Sequence, residues 1–230
     1  IVHGSALGGY WLASVPPGSV RVAFVDPPYK MVEDEDALPQ ALDRYRLSEL
    51  AARRFATAGL QSIGIDHFAK PTDSLCQAAQ TGQLRRNFQG YTDDPSQTLI
   101  GFGASAISRF KDGYQQNAPA TSAYQDRIME TGFAGHKGYQ MTGTDKMIAA
   151  IIEELMCRFS FPTQKLQSAF PEHGDAIRRT AVSLMTRYPD VFTLGGNGLE
   201  MLPHTYPLVR VIASYVDRFT TEEIAHAAAI

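Results

Sequence analysis

Helix-like and strand-like stretches alternate through the first half of the chain, and this alternation limits the folds open to it. Residues 41–58 carry apolar side chains at helical spacing, and Gly59 is placed to end that helix. Residues 61–69 are predicted to form a buried strand, residues 73–79 a helix, and residues 99–108 a second buried, glycine-rich strand. A strand, a helix and a strand in succession predict parallel β/α units and therefore an α/β fold.

The second half of the chain has a different order of elements. Helices are predicted over residues 146–158, 175–188 and 207–219. Residues 191–202 are predicted to form a hairpin between the last two helices, with a glycine-rich turn. Two helices, a hairpin and a helix follow a winged-helix-like order. A domain boundary is therefore predicted near Ala134.

The composition excludes several classes of protein. The chain has 230 residues and a formal net charge of −3, which gives it no general attraction for nucleic acid or an anionic membrane. No apolar run approaches the roughly 18 residues of a membrane-spanning helix. The two cysteines, Cys76 and Cys157, are too few for a disulfide scaffold and suit a reducing cytoplasm. We therefore predict a cytoplasmic protein that binds neither nucleic acid nor membrane.

Single residues offer few catalytic candidates, and we assign no catalytic residue from them. Asp66 and His67 stand at the end of a predicted strand, where catalytic groups of β/α proteins often lie. The alternative is structural: Asp66 caps a loop and His67 bonds to the backbone. Cys76 and Cys157 lie in apolar helical stretches, which favours buried thiols over nucleophiles. No two histidines or cysteines have the spacing of metal ligands, so no metal site is expected within this chain.

Residues 85–92 form the richest polar stretch of the chain. They place two arginines, two amides, a hydroxyl and two aromatic rings within eight positions. One interpretation is a ligand-binding loop in which amides contact neutral polar groups and arginines contact carboxylates. The other is a solvated loop with its aromatic rings in the core. Composition alone does not separate these two interpretations.

Several stretches, taken together and in order, resemble the oxygen-independent coproporphyrinogen III oxidases, which are radical S-adenosylmethionine enzymes of haem synthesis. The resemblance extends from about Lys30 to Phe219. The stretches that carry it are 64–71 (GIDHFAKP), 86–92 (RNFQGYT), 101–108 (GFGASAIS), 114–117 (YQQN) and 155–157 (LMC).

The resemblance implies a fold, a reaction and a set of cofactors. The family has a partial (β/α) barrel, and three cysteines of a CxxxCxxC motif hold a 4Fe–4S cluster near its rim. Cleavage of S-adenosylmethionine yields a 5′-deoxyadenosyl radical, which starts the oxidative decarboxylation of coproporphyrinogen III to protoporphyrinogen IX. An electron donor protein is expected, and a second S-adenosylmethionine lies beside the first. The positions here that match the family's contacts with S-adenosylmethionine are Gln89 and Ile107.

Departures from the family pattern shape the prediction. The chain has no CxxxCxxC motif, so it supplies no cluster ligands. Residues 22–28 match the family poorly, and one hypothesis is that residues 1–29 come from a shifted reading frame. We predict an atypical segment over 1–29, the last units of the radical-SAM barrel over 30–133, and a helical, winged-helix-like C-terminal domain over 134–230. Such a C-terminal fragment is expected to be inactive alone.

Two alternatives remain open at this point. A non-catalytic winged-helix binding module fits the order of elements in the second half. A haem-binding relative is the other alternative, with His67, His136 or His204 as the iron ligand.

Overall fold

The computed structural model describes residues 22–24, 41–88 and 90–219 of the chain. The described residues up to Asp93 and from Ile151 onward form one compact unit, and Asp94–Ala150 forms a second. We call these the first and the second unit. Apart from residues 22–24, the predicted atypical segment lies outside the described residues, and the domain boundary near Ala134 stays a prediction.

The elements are numbered here in chain order. The first part of the described chain contains β1 (Val22–Phe24), α1 (Ala41–Thr57), β2 (Gln61–Ile63), β3 (His67–Ala69), α2 (Ser74–Gln80), β4 (Arg85–Asn87), β5 (Gly90–Thr92), β6 (Ile107–Phe110), β7 (Gly113–Asn117), α3 (Thr121–Thr131) and β8 (Gly135–Gln140). The remainder contains α4 (Gly143–Arg158), β9 (Ser160–Phe161), α5 (Thr163–Ala169), α6 (Gly174–Arg187), β10 (Phe192–Gly195), β11 (Gly198–Met201) and α7 (Val209–Val216). The described chain is therefore mixed α/β, as predicted.

The prediction of one strand over residues 61–69 is wrong, because the chain reverses inside this stretch. Strands β2 and β3 pair antiparallel with Ile63 opposite His67, and β1 pairs antiparallel with the other edge of β3. Gly64 starts the reversal with a φ of +60°, a left-handed conformation that costs glycine little. Every strand pair among the described residues is antiparallel, so the parallel β/α units predicted here do not occur in that part of the chain.

The core of the first unit forms where α1 and α2 cover this small sheet. Phe55 of α1 lies against Phe68, with ring centroids 4.8 Å apart. Helix α2 begins after Asp73, whose carboxylate accepts a hydrogen bond from the backbone N–H of Leu75 at 3.0 Å. The residues buried together beside α2 are Ile63, Ala69, Cys76, Ala78, Leu84, Tyr91 and Cys157. Both cysteines are buried and free of disulfides, which confirms the prediction of buried thiols.

From helix α4 onward, the chain follows the predicted order of elements and adds a short strand, β9, and a short helix, α5. Helices α4 and α6 and the β10–β11 hairpin lie where they are predicted, whereas the last helix, α7, is shorter than its predicted range. Strand β9 and helix α5 were not predicted, because two and seven residues are too few to show a periodic pattern. The strands form a sheet in the order β10–β11–β9, with Phe161 of β9 opposite Leu199 of β11.

The second unit is a three-stranded antiparallel meander, β6–β7–β8, with helix α3 between β7 and β8. The strand predicted over residues 99–108 is wrong in its extent. Only Leu99 bridges to Arg109, and the regular strand begins at Ile107. The backbone between them cannot continue a strand, because Gly103 has a φ of 103° and Ser105 a φ of 61°.

Among the described residues, the helices are all too short or too polar to cross a lipid bilayer.

Candidate functional site

Two of the sequence stretches singled out above meet in the core of the first unit. Gly64 and His67, from the β2–β3 hairpin, both lie against Tyr91 of β5. A Cβ on Gly64 would be 2.0 Å from Cζ of Tyr91, so only glycine allows this approach. The rings of His67 and Tyr91 meet edge to face at a centroid distance of 4.9 Å. The motif of residues 64–71 and the motif of residues 86–92 therefore share one packed core.

Tyr91 anchors this core to helix α4. Its hydroxyl donates a hydrogen bond to the backbone oxygen of Met156 at 2.8 Å. Burial raises the pKa of the Tyr91 phenol, and the negative charge of Asp66 raises that pKa further. Tyr91 is therefore a neutral hydrogen-bond donor at physiological pH.

Asp66 joins the β2–β3 hairpin to the last helix, α7. One carboxylate oxygen lies 2.6 Å from Nδ1 of His67, and the other lies 2.7 Å from Nη2 of Arg210. A carboxylate oxygen can only accept, so Nδ1 of His67 is the donor of the bond to Asp66. This arrangement holds the ring orientation, as a carboxylate does for a catalytic histidine. The same arrangement also has a structural effect, because it ties the hairpin to α7 through Arg210.

Arg210 is the member of this group that the sequence did not reveal. It stands 144 positions after Asp66 in the chain. It lies on a predicted amphipathic helix, where a single arginine is ordinarily a solvent-facing residue. No local spacing rule links positions so distant, so only the three-dimensional structure identifies the ion pair.

The polar stretch of residues 85–92 forms the β4–β5 hairpin. Arg86 stands opposite Tyr91 in this hairpin, with its guanidinium carbon 5.8 Å from the centre of the ring. Arg85 lies 3.8 Å from the carboxylate of Glu153. Phe88 is 54% exposed, whereas Tyr91 is buried. The structure therefore places one of the two aromatic rings in the core and leaves the other at the surface.

The third motif, residues 101–108, lies in the second unit. The Gly101 N–H donates to Oγ of Ser108 at 3.0 Å, and Nδ2 of Asn117 donates to the carbonyl oxygens of Gly101 and Gly103 at 3.1 and 3.0 Å. These bonds hold the glycine-rich loop over β6, where Ile107 is partly exposed. Gln89 lies outside the described residues. The assignment of Gln89 and Ile107 to one cofactor therefore stays a prediction.

The described residues do not fit an iron–sulfur cluster. They contain no group of three or more His, Cys, Asp or Glu side chains that could hold a metal ion. Burial raises the pKa of Cys157 to about 12, and burial also raises the pKa of Cys76. A cluster ligand must be a thiolate, and both of these thiols are stabilised in the neutral form.

Comparisons with known proteins identify relatives over most of the chain. It is 38% identical over 213 residues to an oxygen-independent coproporphyrinogen III oxidase of Cereibacter sphaeroides, a match that covers 92% of this chain and 47% of that protein. It is 40% identical over 195 residues to the oxidase of the same name from Paracoccus denitrificans, covering 85% and 43%. The chain thus spans just under half the length of these relatives. No protein-family model matches it.

A solved structure also resembles the chain. Coproporphyrinogen III oxidase from Escherichia coli, described as a radical SAM enzyme, matches with a TM-score of 0.73 and 27% sequence identity. The match covers 81% of this chain and 44% of that one.

Proposed function

The chain is a homologue of the oxygen-independent coproporphyrinogen III oxidases, and we propose that it forms the part of such an enzyme that contacts cofactor and substrate. The reaction is the oxidative decarboxylation of two propionate side chains of coproporphyrinogen III to vinyl groups, which gives protoporphyrinogen IX. One observation carries this proposal: in a chain 38–40% identical to named oxidases, residues of the 64–71 and 86–92 motifs pack into one core.

The cluster belongs to a part of the enzyme that this chain does not span. The whole chain has two cysteines, and both are buried as neutral thiols in the first unit. In this proposal the other part of the enzyme holds the 4Fe–4S cluster, receives electrons from a donor protein and generates the radical. The present chain alone is then inactive as an oxidase.

Gln89 and Ile107 are the proposed contacts for S-adenosylmethionine, of which the enzyme takes two molecules. The amide of Gln89 can hydrogen-bond a polar edge of the cofactor, and the side chain of Ile107 can pack against its adenosine. The partial exposure of Ile107 supports this role, because a fully buried side chain could not reach a ligand.

The finer fold assignment also belongs to this proposal. Elements α4, β9, α5, α6, β10 and β11 follow one another as a helix, a strand, two helices and a hairpin, and β9 pairs with β11. This order supports a winged-helix-like domain in the second half of the chain. The likeness to a radical SAM enzyme over 81% of the chain supports a partial (β/α) barrel in the whole enzyme.

The remaining assignments follow from composition and chemistry. Two buried free thiols and a net charge of −3 support a cytoplasmic enzyme without affinity for nucleic acid or membranes. Neither a binding module nor a haem protein gains support from a specific observation among the described residues.

Anaerobic complementation tests the proposal. The chain is co-expressed with the part of the Paracoccus denitrificans relative that it does not span, and conversion of coproporphyrinogen III is measured with S-adenosylmethionine and dithionite. We expect no product from the chain alone and protoporphyrinogen IX from the assembled pair. Ile107→Ala should raise the KM for S-adenosylmethionine, whereas the control Ile128→Ala should leave it unchanged. A pair that assembles, holds its iron and forms no product would contradict the proposal.

A further inference from the structure

Arg86 carries a positive charge that no described carboxylate balances. Its Nε is buried and has no hydrogen-bond partner among the described residues. Its described contact is with the face of Tyr91, at 5.8 Å. The residue is partly exposed, so its guanidinium is only partly removed from water, but the contact with the Tyr91 face leaves the buried Nε–H without an acceptor in the described part of the chain.

The acidic groups around this arginine are already engaged by other cations. The charges of Asp66 and Arg86 both influence the pKa of Tyr91. Asp66 forms an ion pair with Arg210 at 2.7 Å. The charge of Glu153 raises the pKa of the neighbouring Cys157, and its carboxylate lies 3.8 Å from Arg85. Both carboxylates are therefore already paired with cations other than Arg86.

The other nearby groups do not supply a negative charge either. Glu154 lies 2.6 Å from Nζ of Lys165 and 3.5 Å from Nη1 of Arg158. The Cys157 thiol is neutral because burial raises its pKa to about 12, and the Tyr91 phenol is neutral because burial raises its pKa as well. Each potential anion around Arg86 in the described chain is therefore paired or uncharged.

We propose that Arg86 binds a carboxylate group of a ligand, an inference that rests on the proposed function. A guanidinium presents parallel N–H donors that match the two oxygens of a carboxylate, and the Tyr91 ring beneath it limits its orientation. The side chain is partly exposed, so a ligand can reach it. Two ligands of the proposed reaction carry the required group: the tetrapyrrole through its propionates and S-adenosylmethionine through its amino-acid end.

Binding measurements on this chain distinguish the two sources. Coproporphyrin III, the stable oxidised form of the substrate, is titrated beside its tetramethyl ester, which lacks carboxylates. S-adenosylmethionine is titrated beside its decarboxylated form. We expect Arg86→Gln to weaken binding of one carboxylate ligand about tenfold or more and to leave its carboxylate-free counterpart unchanged. The control Arg53→Gln makes the same charge change on the exposed face of α1 and should change neither affinity.

A second variant and a second measurement distinguish loss of the Arg86 contact from misfolding of the variant. Arg86→Lys keeps the charge and should retain more affinity than Arg86→Gln, while losing the paired N–H donors. In the unmodified chain, the ¹⁵N resonance of the Arg86 Nε–H should shift on addition of sodium propionate. Sodium chloride at equal ionic strength should not shift it.

The possible results separate this inference from the proposed function. Loss confined to coproporphyrin III assigns Arg86 to a propionate, and loss confined to S-adenosylmethionine assigns it to the amino-acid carboxylate. If the unmodified chain binds either ligand and Arg86→Gln binds it equally well, the inference is wrong and the proposed function stands. If the chain binds neither ligand and propionate still shifts the Nε resonance, the carboxylate site stands and the proposed function is contradicted. If propionate also has no effect, both are overturned.

Discussion

The two units of the described chain differ in how many large apolar side chains they bury. In the first unit, large apolar side chains from distant parts of the sequence are fully buried; these are Ile63, Leu84, Ile151, Leu155, Phe161, Ile177, Leu184, Val209 and Ile212. In the second unit, the buried apolar residues among those described are Ala118, Ala134 and Met147. Helix α3 has no buried residue at all.

The second unit also leaves several large apolar side chains exposed. In the second unit, Phe102, Met129 and Phe133 are 87%, 86% and 79% exposed. Backbone pairing between β6, β7 and β8 and the hydrogen bonds of Asn117 hold this unit together instead. Since burial of apolar area is the dominant favourable term in folding, we expect the stability of the described chain to reside in the first unit.

The largest expected loss of stability comes from a substitution in the core of the first unit. Phe161→Ala removes a ring that is fully buried in β9, and we expect it to lower the free energy of unfolding by about 3–5 kcal/mol. Phe133→Ala makes the same chemical change at an exposed position of the second unit and should cost no more than about 0.5 kcal/mol. Urea unfolding followed by circular dichroism measures both. Equal losses would show that the contrast between the units is wrong.

A smaller effect comes from substituting two glycines that both have a positive φ. Gly64, in the first unit, has a φ of +60°, and its Cβ would overlap the Tyr91 ring; Gly132, in the second unit, has a φ of +75° and open space around it. We expect Gly64→Ala to cost about 2–4 kcal/mol, because backbone strain and displacement of the ring add. Gly132→Ala should lower the free energy of unfolding by about 1 kcal/mol, through backbone strain alone.

Displacement of the Tyr91 ring can be measured separately from stability, by circular dichroism. Gly64→Ala should weaken the near-ultraviolet circular dichroism of the tyrosines and break the Tyr91 bond to Met156. Gly132→Ala should leave that spectrum unchanged. A Gly64 variant with native stability and a native spectrum would mean that residues 64 and 91 do not share a core.

The sequence predicted the parts of this arrangement that depend on local pattern. Helices α1, α4 and α6 and the β10–β11 hairpin carry periodic apolar residues or a glycine-rich turn, and each lies within a few residues of its predicted place. The burial of Cys157 followed from its apolar helical neighbours. The three motifs also pointed correctly to the oxidases that the chain resembles.

Features that depend on contacts between distant residues could not be predicted. Residues 61–69 look like one strand, and nothing local shows that the chain reverses at Gly64, where the Tyr91 ring approaches closely. The ion pair of Asp66 with Arg210 joins a hairpin to a helix much later in the chain. Among the described residues, the unbalanced charge of Arg86 emerges only when each nearby carboxylate has been assigned to its partner.

The smallest expected effect concerns a surface ion pair of the second unit. Asp112 accepts a hydrogen bond from Nζ of Lys146, and this bond, together with the lysine charge, lowers the pKa of the aspartate. A pKa that is lower in the folded than in the unfolded state stabilises the protein above the unfolded aspartate pKa of about 3.9. That contribution is lost as the pH falls through the lowered folded pKa.

Asp112→Asn isolates this contribution, because the variant no longer titrates at this position. The unmodified chain should be the more stable of the two at pH 7, and the difference between their urea midpoints should shrink as the pH falls below about 4. It should also shrink at 1 M salt, since salt screens exposed charges. Asp126→Asn, an exposed change on α3, is the matched control and should lack this dependence. A difference at pH 7 that exceeded the loss from Phe161→Ala would mean that surface charges, and not the buried core of the first unit, dominate the stability of this chain.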